Sequence, residues 1–451
     1  MLARLRGLVR HPVAVAVLVA FLARAWLIFR FPNNYAFDGW QRWAGRDHLL
    51  VQDWLPATQA VIYATAKLGG GVRVTRLVLA FLTALGVGAG TFTAGAIAGR
   101  PAAWVFACLA GFGPFLMWSG LLYQEGLFSA VFFAALALAL RGGIGLSAVR
   151  QRGRPAQLLL AADVLFGLLC LVRYEGWPVA LVYVVWRREV LGLRALWGIT
   201  AWLLLKLAGV KGFYPSPVDY FEDWSGIRQR FDLHVWLAEV QSLGEFLLHS
   251  GGLIALVLGI AATGMCWRAR GVPFIGLVLA GQIVATLCWV AGMENATQRM
   301  IVLPVVFALL PASLGVAEVW QRFPRARPVF SAALLAWVGF GLYAAADQVD
   351  RERERMRPEV VALGRMQACK ECRWWIVPRS GLGSRRRDDG CEILQGMTRM
   401  THGEEFWCAP WLKDLPEVEQ AARQSQADGT VRWSAGDRGG GRYVVDFVRA
   451  K

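Results

Sequence analysis

Apolar runs long enough to cross a lipid bilayer recur along this chain, from near its N-terminus to about residue 346. A bilayer core about 30 Å thick needs roughly 20 apolar residues in a helix to span it. Only 18% of the residues are charged, against about 25% in a typical soluble domain. These features exclude a disordered chain, a coiled coil and most soluble enzymes. The sequence therefore predicts an all-α polytopic membrane protein.

The apolar pattern predicts about eleven transmembrane helices. A short polar segment breaks the stretch 157–186, where we interpret the pattern as two short helices. A single span there would place Arg187 and Arg188 outside, against the positive-inside rule. The predicted spans are 12–29, 72–98, 102–118, 124–140, 157–172, 174–186, 195–209, 250–266, 272–291, 300–320 and 328–346.

The distribution of charges behind the net charge of +16 indicates the membrane topology. With the N-terminus in the cytoplasm, the inner side carries many arginines and one acid, Glu189, as expected for inner loops. This imbalance accounts for nearly all of the net charge, so nucleic acid is not an expected partner. We expect a multi-pass protein of the inner (plasma) membrane, with an extracytoplasmic C-terminus. The inner arginines are Arg4, Arg6, Arg10, Arg100, Arg141, Arg150, Arg152, Arg154, Arg187, Arg188, Arg194, Arg268, Arg270, Arg322, Arg325 and Arg327.

Two domains are expected. Residues 1–346 form the transmembrane domain, whose larger outer loops cover 30–71 and 210–249. Residues 347–451 are polar and form a small soluble α/β domain outside the cytoplasm. Alternation of apolar and polar residues predicts strands in this tail, the last of them at 443–448. Because the long segments lie outside, the chemistry is expected at the outer face.

Half of the eight cysteines lie in the tail, where Cys369 and Cys372 form a Cys-x-x-Cys pair. With two further cysteines, this pattern suits a zinc site, although an extracytoplasmic location favours disulfides. Two disulfides are the first expectation, and zinc or free thiols stay open. The remaining cysteines, in predicted spans, are expected in the core. The tail cysteines are Cys369, Cys372, Cys391 and Cys408, and the others are Cys108, Cys170, Cys266 and Cys288.

Charged and polar residues recur at four predicted outer membrane boundaries. Taken singly, they suit helix caps, interfacial residues or internal ion pairs. Together they are functional candidates, because such groups are costly near hydrocarbon. Carboxylates with nearby cations suit a lipid-borne phosphate and a hydroxyl acceptor. The sequence has no phosphate-binding loop, dinucleotide fingerprint or His-Glu-x-x-His helix. The candidates are Asp38, Asp53, Glu125, Arg173, Glu175, Lys206, Glu294, Gln298 and Arg299.

Four local patterns resemble the GT-C superfamily of integral-membrane glycosyltransferases. Asp38 follows the first span and precedes the segments 40–50 and 55–68, which are expected to form interfacial helices, the second of them apolar. YQEGLFSAVFFAALALAL at 123–140 is similar to the Glu-led span of that superfamily. LVRYEGWPVAL at 171–181 resembles its Arg-bearing break between short spans. QRMIVLPVVFALL at 298–310 resembles its late span that opens with Arg.

The resemblance implies inverting transfer of a sugar from a polyprenyl-phosphate-linked donor to a hydroxyl of a glycan, lipid or protein acceptor. Asp38 would act as the general base. Arg299, with Arg173 or Lys206, would hold the phosphate. The remaining candidates would orient the base or bind the substrate, namely Asp53, Glu125, Glu175, Glu294 and Gln298.

Metal dependence stays open. Many members of the superfamily carry adjacent acids or Asp-x-Asp in the first loop. Here the next acid after Asp38 is Asp47. The sequence therefore leaves a divalent cation (Mg²⁺ or Mn²⁺) as an alternative to metal-free transfer, and no other cofactor is expected.

The alternative function is a transporter or flippase for a lipid-linked or small polar substrate. Transporters often contain internal repeats and charged sites at the middle of the membrane. No repeat is evident in this chain, and the candidate charges lie at one face. The transferase is therefore the favoured hypothesis.

Overall fold

In a computed structural model, the chain divides into two compact units, Met1–Val349 and Asp350–Lys451. The structure describes residues 11–30, 42, 46, 48–50, 55–113, 116, 124–144, 154–208, 233–269, 271–292 and 301–355. In the tail it describes the five strands given below.

The described chain up to residue 355 is helical, as predicted. Its α-helices are α1 (Pro12–Arg30), α2 (Pro56–Lys67), α3 (Val72–Gly111), α4 (Gln124–Arg141), α5 (Arg154–Val172), α6 (Gly176–Arg187), α7 (Trp197–Leu207), α8 (Leu233–Ser250), α9 (Gly252–Met265), α10 (Val272–Gly292), α11 (Val302–Arg322) and α12 (Arg327–Arg355). Two 3-10 turns, Val190–Leu196 and Pro324–Ala326, precede α7 and α12.

Several of these helices can cross a membrane by length and composition. In the described residues six helices qualify, and the bent pair α8–α9 gives a seventh. Each predicted span overlaps a described helix, but some of these helices are short. For example, α6 has 12 residues, so it is about 18 Å long, less than a bilayer core. The protein is thus a mainly helical membrane protein, and the number eleven stays a prediction.

The predicted span 72–98 and the first part of the span 102–118 coincide with α3, which ends at Gly111 and is interrupted near its middle. Ala98 and Gly99 have non-helical backbone angles, and Gly99 adopts φ +80°. That conformation suits glycine, which has no Cβ to clash. Pro101 follows and lacks the N–H that would continue the first hydrogen-bond ladder. The chain therefore changes direction here, at the position where the sequence predicts an inner turn.

Helix α11 lies at the centre of the first unit. In an apolar 18-residue segment of α11, 83% is buried in the protein. In the corresponding segment that includes most of α12, only 6% is buried. Phe307 of α11 packs edge-on against Phe128 and Phe132 of α4, and Phe133 packs against Phe106 of α3. Edge-to-face packing of this kind adds to simple area burial. Helices α3, α4 and α11 thus form the core, and the exposed side chains of α12 suit lipid.

Helices α5 and α7 approach so closely that glycine is required at the contact. A Cβ added to Gly198 would lie 1.9 Å from the carbonyl oxygen of Gly167, and one at Gly167 would lie 1.9 Å from Nε1 of Trp197. The Trp197 indole also donates a 3.0 Å hydrogen bond to the Val164 carbonyl. These contacts fix α7 against α5.

A Gly198→Ala variant should be destabilised by about 1–3 kcal/mol, because the obstructing atom is backbone and the helices must separate. The measurement is the midpoint of unfolding in SDS. The matched control is Gly264→Ala in α9, where an added Cβ meets nothing within 4 Å and the midpoint should hardly move. Equal midpoints for the two variants would contradict the close α5–α7 contact.

The described part of the tail consists of antiparallel strands. Strands β1 (Ile376–Pro378) and β2 (Cys391–Ile393) pair together, and β5 (Tyr443–Val448) lies between β3 (Glu404–Cys408) and β4 (Arg432–Asp437). The predicted last strand coincides with β5. Helices within the tail stay a prediction, as does its extracytoplasmic α/β domain.

The cysteines of the first unit differ from the expectation that all four are core residues. Cys170 is buried and its thiol contacts the Phe166 and Gly176 carbonyls. Cys108 and Cys266 are half-buried, and Cys288 is exposed. A thiol is weakly polar and can face lipid as readily as core. In the tail, Cys391 begins β2 and Cys408 ends β3. Cys369 and Cys372 lie outside the described residues, so the pairing stays a prediction.

Candidate functional site

The break between α5 and α6 is a tight turn formed by Arg173, Tyr174 and Glu175. The Gly176 amide donates to the Arg173 carbonyl at 3.0 Å, and the Trp177 amide donates to the Tyr174 carbonyl at 3.0 Å. A Cβ at Gly176 would lie 2.5 Å from the Leu169 carbonyl oxygen. The chain therefore needs glycine immediately after the turn, and the two charged side chains are placed together where the helices end.

Arg173 connects two carboxylates, one from the start of α4 and one from its own turn. Its Nε and Nη2 donate to Glu175 at 3.0 and 2.6 Å, a forked arrangement that carboxylates favour. Its Nη1 donates to Oε1 of Glu125 at 2.5 Å. Glu125 lies in the first turn of α4, where the positive end of the helix dipole favours an anion. The sequence predicted functional polar groups at two separate boundaries. The structure places these groups together, and they are hereafter called the Glu125–Arg173–Glu175 cluster.

The cluster is almost removed from solvent. Glu125 is 2% exposed and Arg173 is 8% exposed. Oε2 of Glu125 is buried and has no hydrogen-bond partner among the residues that the structure describes. Because most buried polar atoms are satisfied, an orphaned carboxylate oxygen calls for an explanation. It can accept a hydrogen bond from a substrate hydroxyl or an ordered water.

Most of the other predicted site residues lie outside the described residues. This group comprises Asp38, Asp53, Glu294, Gln298 and Arg299. Lys206 is described in the last turn of α7, where its ammonium lies 5.8 Å from the centroid of the Trp202 ring. The structure therefore brings together three of the predicted residues, and the proximity of the rest stays a prediction.

The first outer loop is tied to α2 by a residue that sequence reasoning missed. The side-chain amide of Gln59 donates to the carbonyls of Arg42 at 3.1 Å and His48 at 3.3 Å. Gln59 and Arg42 are each 1% exposed. An amide within a short helix that is half apolar was the available signal, because a buried amide needs partners. The loop that carries Asp38 is thus attached to a helix at two described points.

A second buried ion pair was also missed. Asp163, fully buried near the middle of α5, pairs with Arg187 at the end of α6. Tyr183 donates a 2.9 Å hydrogen bond to the same carboxylate oxygen. An acid within an apolar span is costly and marks a site of interest, so Asp163 was detectable from the sequence. Its partner was not, because Arg187 fits the inner-side pattern by itself.

The described residues contain no group of three or more His, Cys, Asp or Glu placed to hold a metal ion. Asp38 and Asp53 lie outside the described residues. Metal dependence therefore stays open.

Comparison with solved structures identifies membrane glycosyltransferases with a similar fold. The oligosaccharyltransferase of Archaeoglobus fulgidus, in complex with Zn and sulfate, matches with a TM-score of 0.51 and 17% identity, over 74% of this chain and 53% of that one. ArnT from Cupriavidus metallidurans, bound to undecaprenyl phosphate, matches with a TM-score of 0.47 and 15% identity, over 79% and 73%. No protein-family model matches the sequence, and no characterised protein does so.

Both solved proteins are GT-C glycosyltransferases. The likeness to the oligosaccharyltransferase shows that this chain shares its fold, in agreement with the resemblance of the motifs to the GT-C superfamily. The chain spans about half the length of the oligosaccharyltransferase chain that it matches. At this identity the likeness establishes the fold, and activity has to be argued from the site.

Proposed function

We propose that this protein is an inverting glycosyltransferase that moves a hexose or pentose from a polyprenyl-phosphate-linked donor to a hydroxyl acceptor. The reaction would take place at the outer face of the plasma membrane, with the N-terminus in the cytoplasm. The observation that carries the proposal is the buried Glu125–Arg173–Glu175 cluster at a helix break of a GT-C fold. A fold alone does not define an activity, but an acid–base cluster at a membrane boundary is a functional candidate.

The cluster suits a sugar better than a phosphate. One guanidinium faces two carboxylates, and Arg173 already donates to both of them. We therefore propose that Arg173 orders the acids, and that Oε2 of Glu125 accepts a hydrogen bond from a sugar hydroxyl. Cations that hold the leaving phosphate come from elsewhere in this proposal. Arg299 has that role first, and Lys206 is the second candidate.

The proposed reaction is a direct displacement. Asp38 accepts the proton of the acceptor hydroxyl as its oxygen attacks the anomeric carbon. The new carbon–oxygen bond forms as the bond to the phosphate oxygen breaks, and the electron pair leaves with polyprenyl phosphate. Arg299 stabilises the growing phosphate charge. Asp53, Glu294 and Gln298 contribute to substrate binding at the same boundary. Attack opposite the leaving group inverts the anomeric configuration.

One observation favours the alternative, a flippase or transporter. Helices α8 and α9 meet at a 94° bend next to Gly251, as in a broken or re-entrant span. Broken helices are common in transporters. The same bend also suits a helix that turns from the membrane into an outer loop.

Transfer and transport can be separated in one experiment. Protein in nanodiscs would receive polyprenyl-phosphate sugars labelled in the sugar, together with an envelope extract that supplies glycan, lipid and protein acceptors. We expect label in an acceptor and stoichiometric free polyprenyl phosphate. Nucleotide sugars should give no direct transfer. In parallel proteoliposomes, movement of intact donor between leaflets without cleavage would instead establish the alternative.

A further inference from the structure

The pair between Asp163 and Arg187 lies in an apolar and aromatic environment. The Phe166 ring stacks on Tyr183 with centroids 4.0 Å apart, and Trp186 stacks on Phe274 of α10 at 4.7 Å. The Asp163 side chain is fully buried and that of Arg187 is 5% exposed. Charges in such surroundings are strongly held together, because an unpaired charge there is very costly.

The position of this pair along the chain is informative. Asp163 lies on α5, which ends just before Arg173, and Arg187 ends α6, which begins directly after Glu175. The hairpin of α5 and α6 is therefore tied at its base by Asp163–Arg187. Its turn carries the Glu125–Arg173–Glu175 cluster. Near the turn, the Trp177 indole also donates to the Cys170 carbonyl at 3.1 Å.

We infer that Asp163, Tyr183 and Arg187 are positioning residues, which hold α5 and α6 in axial register so that the turn presents Arg173 to Glu125. This inference rests on the proposed function for its effect on catalysis. A slip of one residue along a helix is about 1.5 Å, and a misplacement of about 1 Å can cost 100-fold in rate. The 2.5 Å contact between Arg173 and Glu125 leaves little room for such a slip.

The test separates positioning from stability with the double variant Asp163→Leu/Arg187→Met. Replacing both charges leaves no buried charge unpaired, and such replacements are often neutral for stability. The directional bonds that set the register are lost. We expect unfolding in SDS close to wild type, together with at least tenfold faster hydrogen exchange of the Gly176 and Trp177 amides. Wild-type exchange at this turn in a folded double variant would overturn the inference.

Two further variants keep the test decisive. Tyr183→Phe removes one hydrogen bond and no charge, so it should fold and show a smaller increase in exchange at the same amides. Glu318→Gln is the matched control, because Glu318 forms an exposed pair with Arg322 at 2.8 Å in α11 and should leave the turn unchanged. Unchanged exchange in Tyr183→Phe, with the double variant unfolded, would also reject the inference.

Activity provides the second readout. In the double variant we expect kcat to fall about 10- to 100-fold, with KM for the donor changed much less, because the donor is held mainly by other groups. Hydrogen exchange needs no substrate. If wild type transfers no sugar, the proposed function fails while the exchange result still decides the inference. Wild-type kcat in a variant with fast exchange would reject the catalytic part alone.

Discussion

Replacing Asp38 with asparagine should reduce sugar transfer by about 10²- to 10⁴-fold, the usual contribution of general acid–base catalysis. An amide has nearly the shape of a carboxylate but cannot accept the acceptor proton at neutral pH. Donor binding should therefore persist. The measurements are initial rates of polyprenyl phosphate release and equilibrium binding of labelled donor to the purified variant.

Asp47→Asn is the matched control, because it makes the same chemical change in the same outer loop. Its transfer rate should stay within about threefold of wild type, since changes away from a reacting group have small effects. Unchanged turnover by Asp38→Asn would reject Asp38 as the base and direct attention to Asp53 or Glu125.

Replacing Arg173 with methionine should have the second largest effect, on stability and activity together. The change leaves the buried Glu125 carboxylate without the guanidinium that it contacts at 2.5 Å. Breaking a buried pair from one side typically costs about 3–5 kcal/mol. Activity should fall with it, because the carboxylates proposed to bind the sugar lose their fixed positions. The midpoint of unfolding in SDS and the transfer rate measure the two effects.

A double variant that also removes the negative charge of Glu125 makes this prediction specific. In Arg173→Met/Glu125→Gln the buried negative charge is also removed, so stability should recover relative to Arg173→Met, although activity should not. Arg173→Lys should retain part of the stability, because an ammonium supplies the charge without the forked donors. An Arg173→Met protein that unfolds like wild type would contradict the described cluster.

The helices and their breaks were predictable because they depend on local pattern. Apolar runs predicted the described helices that coincide with spans, and the polar interruption at 173–175 predicted the separation of α5 from α6, whereas α8 lies in a segment predicted only as an outer loop. The Glu-led start of α4 was evident from its first turn. Such features follow from the chemistry of neighbouring residues, so one sequence is sufficient to find them.

The contacts between distant elements were not predictable in this way. Glu125 and Arg173 are 48 positions apart, and Asp163 and Arg187 are 24 apart. Glu125 and Arg187 have satisfactory local explanations, as a favourable helix start and as part of a positive inner side, and the acid Asp163 was detectable without its partner. Only the packing of α4, α5 and α6 shows that the charges are paired. The number of spans was uncertain for a related reason, because the sequence does not show how short helices such as α6 are placed.

The most direct test of the account compares wild type and Asp38→Asn on a panel of polyprenyl-phosphate sugars. Release of polyprenyl phosphate would be followed in the presence of an envelope extract, with and without a divalent-ion chelator. We expect release by wild type that is coupled to labelled product, and almost none by a variant that still binds donor. Comparison of the two wild-type samples decides whether a divalent cation takes part: equal rates indicate metal-free transfer, and loss of release with the chelator indicates a required ion. Equal release by the two proteins would contradict the proposed mechanism. Failure of a folded wild type to cleave any bound donor in the presence of acceptors would contradict the proposed function.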